Sequence, residues 1–143
     1  MPRKQLDNLV RVGKLKTEGC TQAELDGLIR SGKARLQDAI NAKLSIDSRF
    51  DLAYNAAHAL SLAALRWHGL RSDNRYLVFQ CLEHTLELPT AQWRVLDEAH
   101  RRRNIAEYEG GMDLDQELVA AVIRVTQEVS SRVNALPPIA KRS

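Results

Sequence analysis

Four arginines, Arg94, Arg101, Arg102 and Arg103, crowd one short stretch that runs into HRRRNIAEYEGG at 100–111. A guanidinium is a planar, permanently charged fork of N–H donors, suited to phosphate and carboxylate oxygens. Three consecutive arginines on a helix point in directions about 100° apart, so they cannot all decorate one solvated face. Arg103 falls in phase with Trp93, Leu96, Ala99 and Ala106, which aims it at an interior or an interface, where a guanidinium needs a partner. Glu107, one turn on, is the nearest candidate, and Asn104 and Tyr108 form a second i,i+4 pair on an adjoining face. Anion recognition is the chemistry this set offers. The competing account is structural, with Arg103, Asn104, Glu107 and Tyr108 satisfying one another at a dimer seam.

The remaining polar candidates are sparser. His84 and Glu87 lie one turn apart, but two ligands do not make a metal site. His58, inside an alanine-rich run, reads as a core or interface histidine. His68, just before Gly69, complements a helix dipole. Trp67 and Trp93 read as core anchors. No G-x-x-x-x-G-K-[ST] or G-x-G-x-x-G phosphate loop is encoded, and neither G-x-S-x-G nor H-E-x-x-H occurs, so no metal and no cofactor are expected.

The elements that must carry these groups are helical. T-Q-A-E from Thr21 is a capping box, with Thr21 as N-cap and Glu24 reaching back. Leu25, Leu28, Ile29, Leu36, Ala39, Ile40 and Leu44 then predict one helix of about six turns, with Gly32 as its weak point. Leu6, Leu9, Val10 and Leu15 predict a shorter first helix ending near Gly19. Ser45 or Asp47 opens RFDLAYNAAHALSLAALRWHG, where apolar residues spread over several faces and mark a central helix that ends at Gly69. Ser72 or Asp73 caps the segment that runs to Pro89, and Thr90 caps the arginine-bearing helix, which Gly110 and Gly111 break. Asp113, followed by Gln116, opens a last helix along Leu118, Val122, Val125, Val129 and Val133, up to Pro137 and Pro138.

The predicted fold is therefore an all-α bundle of five to six helices. Residues 1–20 form an N-terminal helical extension, 21–136 the bundle, and 137–143 a flexible tail.

Two stretches of this bundle resemble the HEPN domain (higher eukaryotes and prokaryotes nucleotide-binding), an antiparallel helical bundle that usually forms homodimers. SRFDLAYNAAHALSLAALRWHG at 48–69 looks like the family's alanine-rich central helix. RRRNIAEY at 101–108 falls where the family carries an Arg, often followed by a polar residue, with a His four to six residues on. In catalytic members the Arg and His meet across the dimer and cleave RNA without metal. Arg103 and Asn104 match the first part of that motif, but Tyr108 stands in place of the His. A phenol with a pKa near 10 is a poor general base at neutral pH, so the resemblance argues against ribonuclease activity.

Some family members are modified on a tyrosine two positions after the His by a partner nucleotidyltransferase. In this sequence that position is Gly110. The resemblance thus implies a homodimer that offers Arg102, Arg103, Asn104 and Tyr108 to a nucleotide, an RNA phosphate or a nucleotidyltransferase-type partner, in a toxin–antitoxin setting. A metal-independent ribonuclease toxin and a helical interaction module with no nucleotide role are the alternatives.

Composition agrees with a folded domain and excludes several classes. Charged residues make up 27% of 143, too mixed in sign for an acidic disordered tail, and 5% aromatics are too few for a base-stacking platform. Of 21 basic and 18 acidic residues, nine and five fall in residues 1–44, so the basic excess sits in the N-terminal third. That excess falls short of a committed nucleic-acid footprint. Cys20 and Cys81 lack the spacing of a disulfide scaffold or zinc knuckle. No segment reads as a leader or a membrane span, so a cytoplasmic location is expected.

Overall fold

The computed structural model describes residues 3–109 and 115–139, with 105–109 described by their backbone alone. The helices are α1 (Arg3–Arg11), α2 (Gln22–Ala39), α3 (Ile46–Trp67), α4 (Arg75–Gln80), α5 (Leu82–Thr85), α6 (Thr90–Glu109) and α7 (Gln116–Asn134). Cys81 is at once the C-cap of α4 and the N-cap of α5, so these two make one helix broken at a single residue. Two antiparallel two-residue strands, β1 (Lys16–Thr17) and β2 (Leu70–Arg71), pair Lys16 with Arg71 and Thr17 with Leu70. The architecture is an all-α bundle carrying this one short ladder.

Local chemistry sets the boundaries, and several differ from expectation. α1 stops at Arg11 rather than near Gly19. Gly13 takes φ +82°, and the N–H groups of Gly13 and Lys14 donate back to the carbonyls of Val10 and Leu9, a left-handed cap that turns the chain towards β1. Thr21 caps α2 by accepting from the Glu24 N–H, but the Glu24 carboxylate does not reach back; it goes to Arg66. α2 ends at Ala39, short of Leu44, because the Ala39 carbonyl is taken by Arg49 Nε at 2.8 Å and Asn41 forms a local turn with the Lys43 N–H. Ser45 caps α3 and Asn74, not Ser72 or Asp73, caps α4. Thr90 is the first residue of α6, and its hydroxyl donates to Glu83 instead of capping. Asp115 caps α7 by accepting from the Leu118 N–H at 2.7 Å. Asp113, the expected cap, lies outside the described residues, as do Leu114 and the Gly110–Gly111 breaker.

α3 is the central helix, with α2 and α7 as its principal neighbours. Its alanines Ala53, Ala56, Ala57, Ala63 and Ala64 are buried on several faces, and Phe50, Leu60 and Trp67 fill the space between helices. The main core joins these to Leu25 and Leu36 of α2, Trp93, Leu96 and Ala99 of α6, and the valine stripe of α7. A second cluster packs Leu6 and Leu15 of the N-terminal segment against Leu65, Leu70, Leu77, Val78 and Cys81. Both tryptophans anchor the core and place their N–H groups: Trp67 Nε1 donates to the Pro137 carbonyl at 2.8 Å and Trp93 Nε1 to Glu83 at 3.2 Å. Beyond α7, the Ile139 N–H donates to Gln22, which ties the start of the expected tail to α2.

Candidate functional site

Among the described residues the most deeply buried cation is one that the sequence does not single out. Arg66 is 1% exposed. Its guanidinium donates to Glu24 Oε2 at 2.7 Å, to the carbonyls of Glu18 and Gly19 at 2.7 and 2.8 Å, and to the Leu70 carbonyl at 3.2 Å. Glu24 is held below the usual carboxylate range chiefly by this hydrogen bond, and Arg66 is raised for the same reason. Every edge of the fork is occupied, so Arg66 staples α2 and the β1–β2 ladder to α3 and offers nothing to a ligand.

A different cluster has the makings of a site. It is built around Tyr54, on the face of α3 shared with Phe50 and Ala57, and is assembled from three helices. α6 contributes Arg103, whose guanidinium carbon sits 4.9 Å from the centre of the Tyr54 ring. One turn earlier His100 lies nearly parallel to that ring and places Nδ1 2.8 Å from the Tyr54 hydroxyl. Asn104 brings its amide nitrogen to 3.3 Å from His100 Nε2. With the Asn104 amide donating, Nε2 is the acceptor and Nδ1 carries the ring proton towards Tyr54. α4 contributes Arg75, 5.5 Å from the same ring centre. His58, one turn after Tyr54, meets Phe79 edge-on.

The electrostatics of this cluster are those of gathered positive charge. His58 is pushed down to about 4, first by burial and then by Arg75, Arg103 and His100 around it. It is therefore a neutral imidazole at neutral pH, able to donate or accept a hydrogen bond. Cation–π contact with the Tyr54 ring helps to hold both guanidiniums in place.

The sequence-predicted site residues divide on this frame. Arg103 and Asn104 belong to the cluster. Arg102 does not turn towards it: its Nε donates to Glu98 at 3.0 Å, and Arg101 pairs with the same carboxylate, which both hold low. The side chains of Tyr108 and of Glu107, the expected partner of Arg103, lie outside the described residues. His100, which precedes Arg103 where the family motif has its His after the arginine, is inside the cluster, and so is His58. Arg75 was missed. Its signal was helical phase, one turn before the buried Val78 and Phe79.

No family model, curated protein or solved structure matches this chain.

Elsewhere, a cleft of about 410 Å³ opens between α1 and the α4–α5 segment, lined in part by Leu9, Val12, Leu77, Cys81 and His84. It shares no residue with the Tyr54 cluster. Among the described residues no group of three or more His, Cys, Asp or Glu is placed to hold a metal, and no helix is long and apolar enough to cross a membrane. Cys20 and Cys81 are not in a disulfide, and burial pushes the Cys81 thiol up to about 12.

Proposed function

We propose that the protein is a HEPN-like antiparallel bundle that acts as a cytoplasmic homodimer and binds the phosphate groups of a nucleotide or an RNA, without cleaving them. The observation that carries this reading is the seating of Arg103 against Tyr54, beside His100 and Asn104, on the helix whose sequence resembles the family motif. A guanidinium, an amide and an imidazole converging at a half-buried surface suit an oxyanion better than any neutral solute. Tyr108 in place of the motif His takes away the expected general base, and this supports binding over catalysis. The homodimer, a nucleotidyltransferase-type partner and a toxin–antitoxin setting follow from the resemblance alone.

The test is titration of the protein with nucleotides and short RNAs at about 50 and 200 mM salt, with Arg103→Ala alongside. Phosphate-driven binding weakens as salt rises because bound counterions are released, and Arg103→Ala should lose most of it. Absence of binding at the lower salt would leave a helical interaction module with no nucleotide role. Sedimentation of both proteins tests the dimer: a monomeric wild type refutes it, and a dimer that Arg103→Ala weakens places that side chain at the seam.

A second reading is favoured by one observation, the imidazole of His100 beside Arg103. In it His100 serves as the proton-transfer group of a metal-independent ribonuclease toxin. Expression in cells should then arrest growth, with relief by His100→Ala and by Arg103→Ala. An unaffected culture removes that reading.

A further inference from the structure

We propose that the cleft between α1 and the α4–α5 segment is a second binding site, and that it takes an ω-amino acid, an aliphatic chain with an ammonium at one end and a carboxylate at the other. The cleft has a volume of about 410 Å³, within the range of small-ligand pockets. Its direction follows from the way α1 is tied down. Arg3, at the start of α1, donates to the His68 carbonyl at 3.0 Å, and His68 Nε2 lies 3.2 Å from the Thr85 carbonyl at the end of α5. Lys14, beyond the other end of α1, lines a hollow with Ser72, Asp73 and Asn74, just before α4. α1 therefore runs antiparallel to α4–α5, and the cleft has two distinct ends.

One end is anionic. Glu83 is half-buried, and its Oε1 accepts from the Thr90 hydroxyl and from Trp93 Nε1. These two bonds, with a smaller contribution from His84 and Arg94, hold the carboxylate below the usual carboxylate range. Arg94 is exposed and does not line the cleft. Oε2 of Glu83 accepts nothing among the described residues, so a prepositioned anionic oxygen is left for a primary ammonium, with Trp93 beside it. The other end is cationic. Lys14 is exposed and forms no ion pair among the described residues.

Between the two ends Leu9, Leu77 and Cys81 give an apolar floor, and burial keeps the Cys81 thiol neutral. Val12, the most exposed large hydrophobic among the described residues at 64%, lies on the rim. Methylenes laid over Val12 and Leu9 are withdrawn from water together with them. Six helical steps from Leu77 to Glu83 cover about 9 Å, a span that a chain of five methylenes crosses. A purely apolar ligand leaves both charges unanswered, and an α-amino acid carries its charges too close together to reach both ends.

NMR titration of the full chain, read at the Trp93 indole N–H, tests this with three probes of one chain length: 6-aminohexanoate, hexylamine and hexanoate, at neutral pH and low salt. The first should shift that resonance saturably and bind several-fold more tightly than either of the others. Glu83→Gln keeps an acceptor for Thr90 and Trp93 while removing the charge, and should bring 6-aminohexanoate down to the affinity of hexanoate. Lys14→Gln, a change at an exposed side chain, should bring it down to that of hexylamine. Arg103→Ala should bind like wild type, because the cleft shares no residue with the Tyr54 cluster. Should Glu83→Gln fail to fold, Lys14→Gln and the probe comparison decide alone. The inference is overturned by no response to any probe, by hexylamine or hexanoate binding as tightly as 6-aminohexanoate, or by an effect of only one of two folded cleft variants. Loss of binding in Arg103→Ala overturns it too, by moving the ligand to the Tyr54 cluster.

Discussion

Arg66 and Arg75 are two guanidiniums whose surroundings differ: Arg66 is buried, whereas Arg75 is half-buried against the Tyr54 ring. Arg66 is fully engaged by Glu24 and three carbonyls, so its loss strands acceptors and a carboxylate together. Arg66→Met should cost about 3–5 kcal/mol in urea unfolding, and a change under 1 kcal/mol would show that the network is dispensable. His58 makes the protein sensitive to mild acid. Folded, it stays neutral down to about pH 4, whereas the unfolded chain takes up that proton near 6.5. The unfolded state therefore binds more protons between those values, and stability, full above 6.5, declines as pH falls towards 4. The loss should be on the order of 2 kcal/mol between about pH 7 and pH 4.5, and unfolding curves of His58→Gln should lack most of it. Neither arginine's place was legible in sequence. Three of the four partners of Arg66 lie more than forty residues upstream, and the fourth is the backbone carbonyl of Leu70, so nothing in its local spacing announces them. Arg75 was betrayed only by its phase with Val78 and Phe79.

At the scale of elements, small residues govern how closely helices approach. Gly32 reads in sequence as a flaw in α2, but it is where α2 meets α3. A Cβ built there would stand 2.6 Å from Leu60 Cγ and 2.9 Å from Cδ2, and Leu60 is fully buried with no room to retreat. Gly32→Ala should therefore destabilise by about 1–3 kcal/mol, although alanine on an open helix face would stabilise by nearly 1 kcal/mol; a raised melting temperature would contradict this crossing. The periodicity of α2, α3, α6 and α7 was readable because each has a persistent apolar face. The ends were harder to read where two residues compete for one role. Asp113 and Asp115 both precede a helical pattern, and Ser72, Asp73 and Asn74 offer three caps within three residues; the choice depends on which backbone N–H the fold leaves open. The strands were invisible for a related reason, since two residues carry no period.

For the whole molecule, the bundle brings to one place groups from α3, α4 and α6 that the sequence spreads over fifty residues, from Tyr54 to Asn104. The motif stretch supplied Arg103 and Asn104 from spacing alone, whereas His100, His58 and Arg75 join them only through packing around Tyr54. The central claim is that this gathering of positive charge receives a phosphate. The most direct measurement is the pair of imidazole ring resonances of His58 and His100, followed by NMR as AMP is added at constant pH and low salt. Both should shift together and saturate, and the shifts should vanish in Arg103→Ala. Resonances that stay fixed while AMP binds elsewhere, or that move equally in Arg103→Ala, would contradict the account.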